Sequence, residues 1–567
     1  MYKRVISCIL IICLIFSCTS VAMAFTFPEP DWGALYKEKQ RMVTTVDFEL
    51  YAQGDIYSGP YYWEKFEPRG TYIGSVADTA EKLLPLGCYL TTMNAMERTD
   101  LYYPANQMIK NDNVISMIGW NIYDLNTIDY NVIRKALQTL NSYNKPMLIR
   151  FANEMNVSAL GNEPEKYKQI FRNVANMVHE YPNLAMVWSP NDLGGLDRPF
   201  DYYYPGDEYV DWVGVSMYMV KYFMGNKNTA DKDKIFFMAD QYAWATLRLK
   251  PIVEFMQKNK IYKPIMISEC GVATTNKFGE TLTEWATPRL QNLLWYVNMK
   301  YPQVKMINYF DYVIPGEAEM FDISKHQYAV DIFNKAKLNG SYITQYGKNA
   351  NFIFQPANNA GTLIAKNNKI PLYTLAYFPN QPKITVNYFV DGKWAGSSAT
   401  IPYLYNLDIS NLSDGKHTLK ISSLSSKEYT FYKSGPCICF GKQPDPKIVE
   451  RESGIKVTVN GDVVSFDQPP VVKDGRTLVP VRAIFEKMGA KVFWYAASQS
   501  AEIIKGNTKV IITIGKKEIS VNGVSKPLDV PAQLINGRTL VPARVIAESI
   551  GAKVDWVNET KTVVITY

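Results

Sequence analysis

The stretch KPMLIRFANEMN, residues 145–156, carries the reading that decides the fold. Residues 146–151 form a short apolar run of strand length, and the chain then turns polar at Asn153 and Glu154. Beyond it, Tyr167, Ile170, Phe171, Val174, Met177 and Val178 recur at helical spacing, with Pro164 near the helix start and Tyr181-Pro182 as its stop. Strand, polar tip, helix and next strand together make the repeating unit of a parallel sheet. Working outward, comparable runs lie at 70–75, 88–93, 114–120, 184–188, 211–217, 264–268 and 304–310, and a helical pattern from Trp285 to Lys300 separates the last two. Eight such units in about 250 residues predict an α/β fold of the TIM (β/α)8 barrel type. A doubly wound open sheet is the competing arrangement, and no Gly-rich phosphate loop follows any strand to support it.

A chain of 567 residues exceeds one ordinary domain. Its start reads as a secretory signal over residues 1–24: Lys3 and Arg4, an apolar stretch at 5–16, and the small-residue site Ala22-Met23-Ala24. About a dozen apolar residues are too few to span a bilayer. A lipid anchor through Cys18 is the rival reading, opposed by Phe16 in the pattern before that cysteine. No second long apolar run follows, so a secreted or cell-surface protein without a transmembrane segment is expected. Loss of Lys3 and Arg4 lowers the net charge from +7 to +5, without long basic runs, and nucleic acid is not implied. Outside the signal, Cys88, Cys270, Cys437 and Cys439 make no disulfide framework, the last two reading as linker thiols. His179, His326 and His417 lie too far apart in sequence to suggest a metal site.

After the barrel, expected over 25–345, the pattern changes. Residues 384–390 alternate, and Asp391-Gly392 and Asp414-Gly415 read as hairpin turns. A β-sandwich is expected over 350–435, then a Pro/Lys/Asp linker at 436–452. The segment 453–567 contains an internal repeat: DGRTLVPVRAIFEKMGAKVFW at 474–494 returns as NGRTLVPARVIAESIGAKVDW at 536–556. Each copy reads as a strand, a helix opening near Pro480 or Pro542, a closing Gly489 or Gly551, and a strand ending in Trp494 or Trp556.

Hydrolysis of a glycosidic bond with retention needs two carboxyl groups about 5–5.5 Å apart. On a (β/α)8 barrel they must sit at the C-terminal strand ends. Glu154 follows the fourth run and Glu269 ends KPIMISE at the seventh, so apolar strand residues lead directly into each carboxylate.

Four phrases, MLIRFANEMN at 147–156, AMVWSPND at 185–192, YYPGDEYVDWVGVSMY at 203–218 and KPIMISECG at 263–271, resemble glycoside hydrolase family 26, known for endo-β-mannanases and related β-glycanases. Asn-Glu after strand four with Glu after strand seven is the pattern of the larger retaining clan of (β/α)8 glycosidases. The resemblance implies Glu154 as acid/base, Glu269 as nucleophile and Tyr218 as a hydrogen-bond donor to the nucleophile. It implies Trp188 and Trp120 as stacking faces for sugar rings and Asn153 as a partner for a sugar 2-hydroxyl. Arg150 points near the end of strand four and could hold a carboxylate ionised or pair structurally. The chain departs from the family in Asn153, where His is common, in Val157-Ser158-Ala159, in Cys270 for a usual Phe, and in Tyr309 or Phe310 where a Trp often floors the subsite. Residues 386–421 resemble bacterial immunoglobulin-like modules. Residues 453–567 resemble the stalk domain named copper amine oxidase N-terminal-like, which implies surface presentation or attachment to cell wall or envelope. No histidine or cysteine follows Cys439, so no imidazole or thiolate copper site is available there.

The expected function is a secreted retaining β-glycoside hydrolase acting on a polysaccharide, mannan or a related β-glycan, with no metal or organic cofactor. The competing expectation is a non-catalytic surface protein that binds polysaccharide on a degenerate barrel.

Overall fold

In the computed structural model the described residues are 46–567, except 77–82, 95–108, 193–197, 222–242, 277–278, 313–318 and single positions 380, 382, 465, 467 and 559. The expected signal and Cys18 lie outside them. The chain divides into two compact units. One spans Met1–Gly361, Ile370–Leu407 and His417–Thr430; the other spans Thr362–Lys369, Asp408–Lys416 and Phe431–Tyr567.

The first unit holds the barrel. Its strands are β1 (Thr71–Val76), β2 (Cys88–Asn94), β3 (Ile115–Asn121), β4 (Met147–Phe151), β5 (Leu184–Trp188), β6 (Trp212–Met219), β7 (Ile265–Val272) and β8 (Val304–Tyr309). Each pairs in parallel with the next, and β8 pairs in parallel with β1 through Met306–Tyr72 and Tyr309–Ser75, which closes the barrel. All eight expected runs are present. Strands covered on both faces read as unbroken apolar runs, which is why the sequence shows them so clearly.

Inside, Tyr72, Leu90, Met117, Leu148, Val187, Trp212, Met266 and Met306 form a packed core, with Phe66 and Ile56 against it. The helix Pro164–His179 starts on Pro164 as expected and buries Tyr167, Phe171, Val174 and Val178. Its last residue, His179, meets Asp211 at 3.0 Å, and Asp211 also accepts from the Met186 amide at 2.6 Å, so the helix end is tied to β5 and β6. The helical pattern between β7 and β8 is Thr283–Gln291, a π turn at Asn292–Tyr296 and Val297–Lys300.

Further β-rich regions follow. Asp47–Gly54, from before the barrel, pairs antiparallel with Ile353–Pro356 and Lys369–Tyr377, from after it. Val386–Val390 and Lys393–Ser398 form the expected hairpin, and Asp391 (φ 48°) and Gly392 (φ 75°) both take the left-handed conformation that a two-residue turn requires. The stretch 436–452 differs from the expected linker. Cys437–Phe440 is a buried strand paired with Thr362–Ile364, and Pro446–Ser453 is a helix. Four consecutive apolar residues, CICF, supply that strand, so Cys437 and Cys439 are core thiols.

In the second unit the repeats fold alike. Arg476–Pro480 and Arg538–Pro542 lead into helices Val481–Lys487 and Ala543–Ser549, which Gly489 and Gly551 follow in left-handed conformation. The two proline strands pair with each other, Val479 opposite Val541. No helix among the described residues is long and apolar enough to cross a membrane.

Candidate active site

Alternation along β4 sorts its residues by face. Leu148 belongs to the barrel interior, so Arg150 also points inward, while Phe151 packs outward on Phe171 of the helix Pro164–His179. Past Phe151 the chain leaves the extended form: Ala152 (φ 46°) and Glu154 (φ 56°) are both left-handed, a conformation that costs non-glycine residues energy and recurs at functional sites. The Glu154 amide donates to the Ser189 carbonyl at 2.8 Å, which fixes the turn against the end of β5.

Glu269 reaches the interior by a different device. Simple alternation from Met266 would send Ser268 in and Glu269 out. The pairing of β7 slips by one residue against both neighbours: Val215–Ile267 is followed by Ser216–Glu269, and Ile307–Ile267 by Tyr309–Cys270. This bulge turns Ser268 and Glu269 to the same side. Ser268 then bonds Ser189 at 2.7 Å, and Glu269 bonds Arg150.

Arg150 is the hub. It is 1% exposed, donates from Nη1 to Glu269 Oε2 at 2.8 Å and from Nε to Ser189 Oγ at 3.0 Å, and its Nη2 donates to Ser216 Oγ. The same Nη2 lies 3.8 Å from Glu154 Oε1. One guanidinium therefore faces both carboxylates. Gly214 makes room for this arrangement, since a Cβ there would stand 2.8 Å from that of Ser189. Tyr218 donates its hydroxyl to Glu269 Oε1, and Phe310 and Phe321 back its ring at centroid distances of 5.9 and 4.8 Å.

Burial, and secondarily the charge of Glu269, raises the Glu154 pKa; Arg150 opposes the shift. A carboxyl that keeps its proton more tightly than usual thus stands beside one hydrogen-bonded by Arg150 and Tyr218, an asymmetry of the kind that separates a general acid from a nucleophile. Burial also pushes the Tyr218 hydroxyl well above its ordinary value, with Glu269 adding to it, so it stays a donor.

The structure thus brings together Glu154, Glu269, Arg150 and Tyr218. Asn153 lies beside them half-buried, and its buried Oδ1 has no hydrogen-bond partner among the described residues. Three expected ligand residues lie elsewhere. Trp120 is fully buried and packs edge-on against Phe151, its register partner, on the outward face of the barrel wall. Trp188 is fully buried among Phe200, Tyr204 and Phe255, the last on helix Lys250–Asn259. Tyr309 is fully buried too, its hydroxyl accepting from the Val272 amide at 3.0 Å and its ring against Phe333 of helix Gln327–Lys337. Trp188 and Tyr309 join the barrel to its helices, Trp120 packs within the barrel wall, and all three, being buried, offer no face to a sugar.

Ser189, Ser216 and Asn191 were not singled out in the sequence. Asn191 approaches Glu154 Oε1 at 3.5 Å, and it is held by reciprocal bonds with Asn156 of 2.7 and 2.9 Å. The next residue, Asp192, forms a buried ion pair with Arg248 at 2.6–2.8 Å. The only available signal was position: Ser216 precedes Tyr218 by two, so both share a face of β6.

Residues 102–284 match the glycosyl hydrolase family 26 profile, and residues 458–565 match that of the copper amine oxidase N-terminal domain. The chain is 33% identical over 134 residues to a beta-1,3-xylanase of an Alcaligenes species, covering 22% of this chain and 27% of that protein. It is 30% identical over 112 residues to a protease inhibitor of Brevibacillus choshinensis, covering 19% of this chain and 34% of that protein. The chain thus spans about a third or less of these curated relatives. Among solved structures, an endo-beta-1,4-mannanase double mutant of Cellulomonas fimi superposes with a TM-score of 0.35 at 12% identity, over 67% of this chain and 99% of that one. Residues 102–284 of this chain are a glycoside hydrolase family 26-like domain, and residues 458–565 a copper amine oxidase N-terminal-like domain.

Proposed function

We propose that this protein hydrolyses a β-linked polysaccharide of the xylan or mannan type by double displacement. The observation that carries the reading is the single guanidinium of Arg150 set between Glu154 and Glu269, with Tyr218 on the second carboxylate. Glu269 attacks the anomeric carbon while Glu154 gives its proton to the leaving oxygen, so the glycosidic bond breaks as a glycosyl ester forms. With the charge of Glu269 consumed in that ester, the pKa of Glu154 falls. Glu154 then takes a proton from water, which displaces Glu269 and releases the sugar with its configuration retained.

The name of the Alcaligenes relative makes β-1,3-xylan the first polymer to assay, beside mannan, β-1,4-xylan and mixed-linkage glucan. Reducing sugar should be released from at least one, and Glu269→Ala should abolish it. NMR of the first-formed product should show the β-anomer; an initial α-anomer would rule out double displacement. A protein that binds one polymer and cuts none would instead be the non-catalytic surface binder.

Export to the cell surface and attachment through residues 453–567 belong to the same proposal. That segment carries 15 Lys and Arg against 10 Asp and Glu, an excess suited to an anionic envelope polymer.

A further inference from the structure

Residues 57–69 form a loop at the barrel end opposite the two carboxylates, and its backbone is firmly tied there. Lys65 donates to the Leu184 carbonyl at 2.9 Å, at the start of β5, and the Trp212 indole, at the start of β6, donates to the Lys65 carbonyl at 2.8 Å. Lys305, near the start of β8 and buried, donates to the Pro60 carbonyl at 2.6 Å. Within the loop, Glu67 accepts from the Tyr62 and Glu64 amides at 2.9 and 3.3 Å, and Lys263 pairs with Glu64 at 2.6 Å.

This anchored loop displays aromatic rings instead of burying them. Trp63 is 79% exposed and Tyr57 65%, and Trp63 takes the left-handed φ of 64°. Tyr61 stands edge-on to Trp63 with centroids 4.6 Å apart. The Arg69 guanidinium lies 4.7, 4.4 and 5.8 Å from the ring centroids of Tyr57, Tyr61 and Trp63. Among the described residues no carboxylate or hydrogen-bond acceptor partners that guanidinium, which stands at the centre of the three rings.

We infer that this cluster is a second carbohydrate site, which holds a uronate-bearing segment of polysaccharide. The exposed ring faces suit the C–H faces of a pyranose, and the planar fork of Arg69 suits a carboxylate in bidentate contact. A neutral sugar would leave that fork unsatisfied. Nucleic acid fits less well, because phosphate tracking needs several free cations, and Lys65 is engaged by the Leu184 carbonyl while Lys263 and Lys305 are engaged by the loop. The site is separate from the carboxylates and does not depend on hydrolysis.

The test uses the full chain carrying Glu269→Ala, so that the polymer stays intact during measurement. Affinity gel electrophoresis is run with glucuronoxylan and with the same polymer after reduction of its carboxyl groups. Glucuronoxylan should retard the protein, and Trp63→Ala or Arg69→Gln should weaken binding at least tenfold. Arg69→Lys, which keeps the charge but loses the fork, should fall between, and added salt should weaken binding. The reduced polymer should bind the parent as poorly as glucuronoxylan binds Arg69→Gln. Tyr57→Ala, in an exposed ring, repeats the test where folding is least disturbed, and melting curves check every variant. Equal retardation of all variants would remove the site, and equal binding of native and reduced polymer would remove the uronate. Hydrolysis is scored separately with Glu269 restored, so loss of activity there leaves this result standing.

Discussion

Arg150 and Tyr218 hold Glu269 from two sides, so each substitution tests a separate contact. Tyr218→Phe removes one donor to Glu269, and on the proposed mechanism it should lower kcat about 100-fold with little change in KM, as loss of a single preorganised donor does. Arg150→Lys keeps a charge but cannot reach Glu269, Ser189 and Ser216 together, and steady-state kinetics should show a loss at least as large. Glu154 makes a prediction about stability. Its pKa in the folded protein stands above the ordinary value of 4.5, so ionising it opposes folding. The cost is absent below about pH 4 and grows as pH rises from the unfolded-state pKa toward the raised folded value. Glu154→Gln should therefore raise Tm at pH 7 and give no such gain at pH 4, while abolishing acid catalysis. A Tm difference that is the same at both pH values would contradict the assignment.

At the scale of elements, the strands were legible and their faces were not. Parallel strands buried on both sides are apolar at every position, so period-two alternation leaves no mark in the sequence. That is why Trp120, Trp188 and Tyr309, each at a strand end, read as site residues although all three point to the helix layer. Trp188→Ala should therefore destabilise the protein by about 3–5 kcal/mol, the usual cost of emptying a buried aromatic position. Trp188→Phe should lower Tm less and leave KM unchanged, and a large rise in KM for this variant would restore the sugar-platform role. Glu269 gives the converse lesson. Its place after an apolar run was visible, but only the bulge in β7 turns it inward beside Ser268.

For the whole molecule, the described strands of residues 456–566 pair only among themselves, in sheets of four, four and five strands. Removing residues 453–567 breaks no barrel pairing. The truncated protein should keep its kcat and KM on a soluble oligosaccharide while losing retention on isolated cell walls, measured by co-sedimentation at low and high salt. Loss of both together would mean that the segment serves the barrel itself. The repeat that identifies this segment was plain in the sequence, and the structure adds that its two proline strands pair with each other.

The sequence by itself determined the eight strands, the carboxylates that follow two apolar runs, and the repeat, because apolar runs, the polar residues after them and internal similarity are properties of neighbouring residues. Tertiary structure alone decided which side chains meet. Arg150 lies 119 positions from Glu269, and the bond between them exists only because the barrel closes and β7 slips by one residue. It also decided that three aromatic residues belong to the wall, while Tyr57, Tyr61 and Trp63 gather around Arg69 at the far end. Which face a residue takes depends on register and closure, and these are set by packing across the whole barrel.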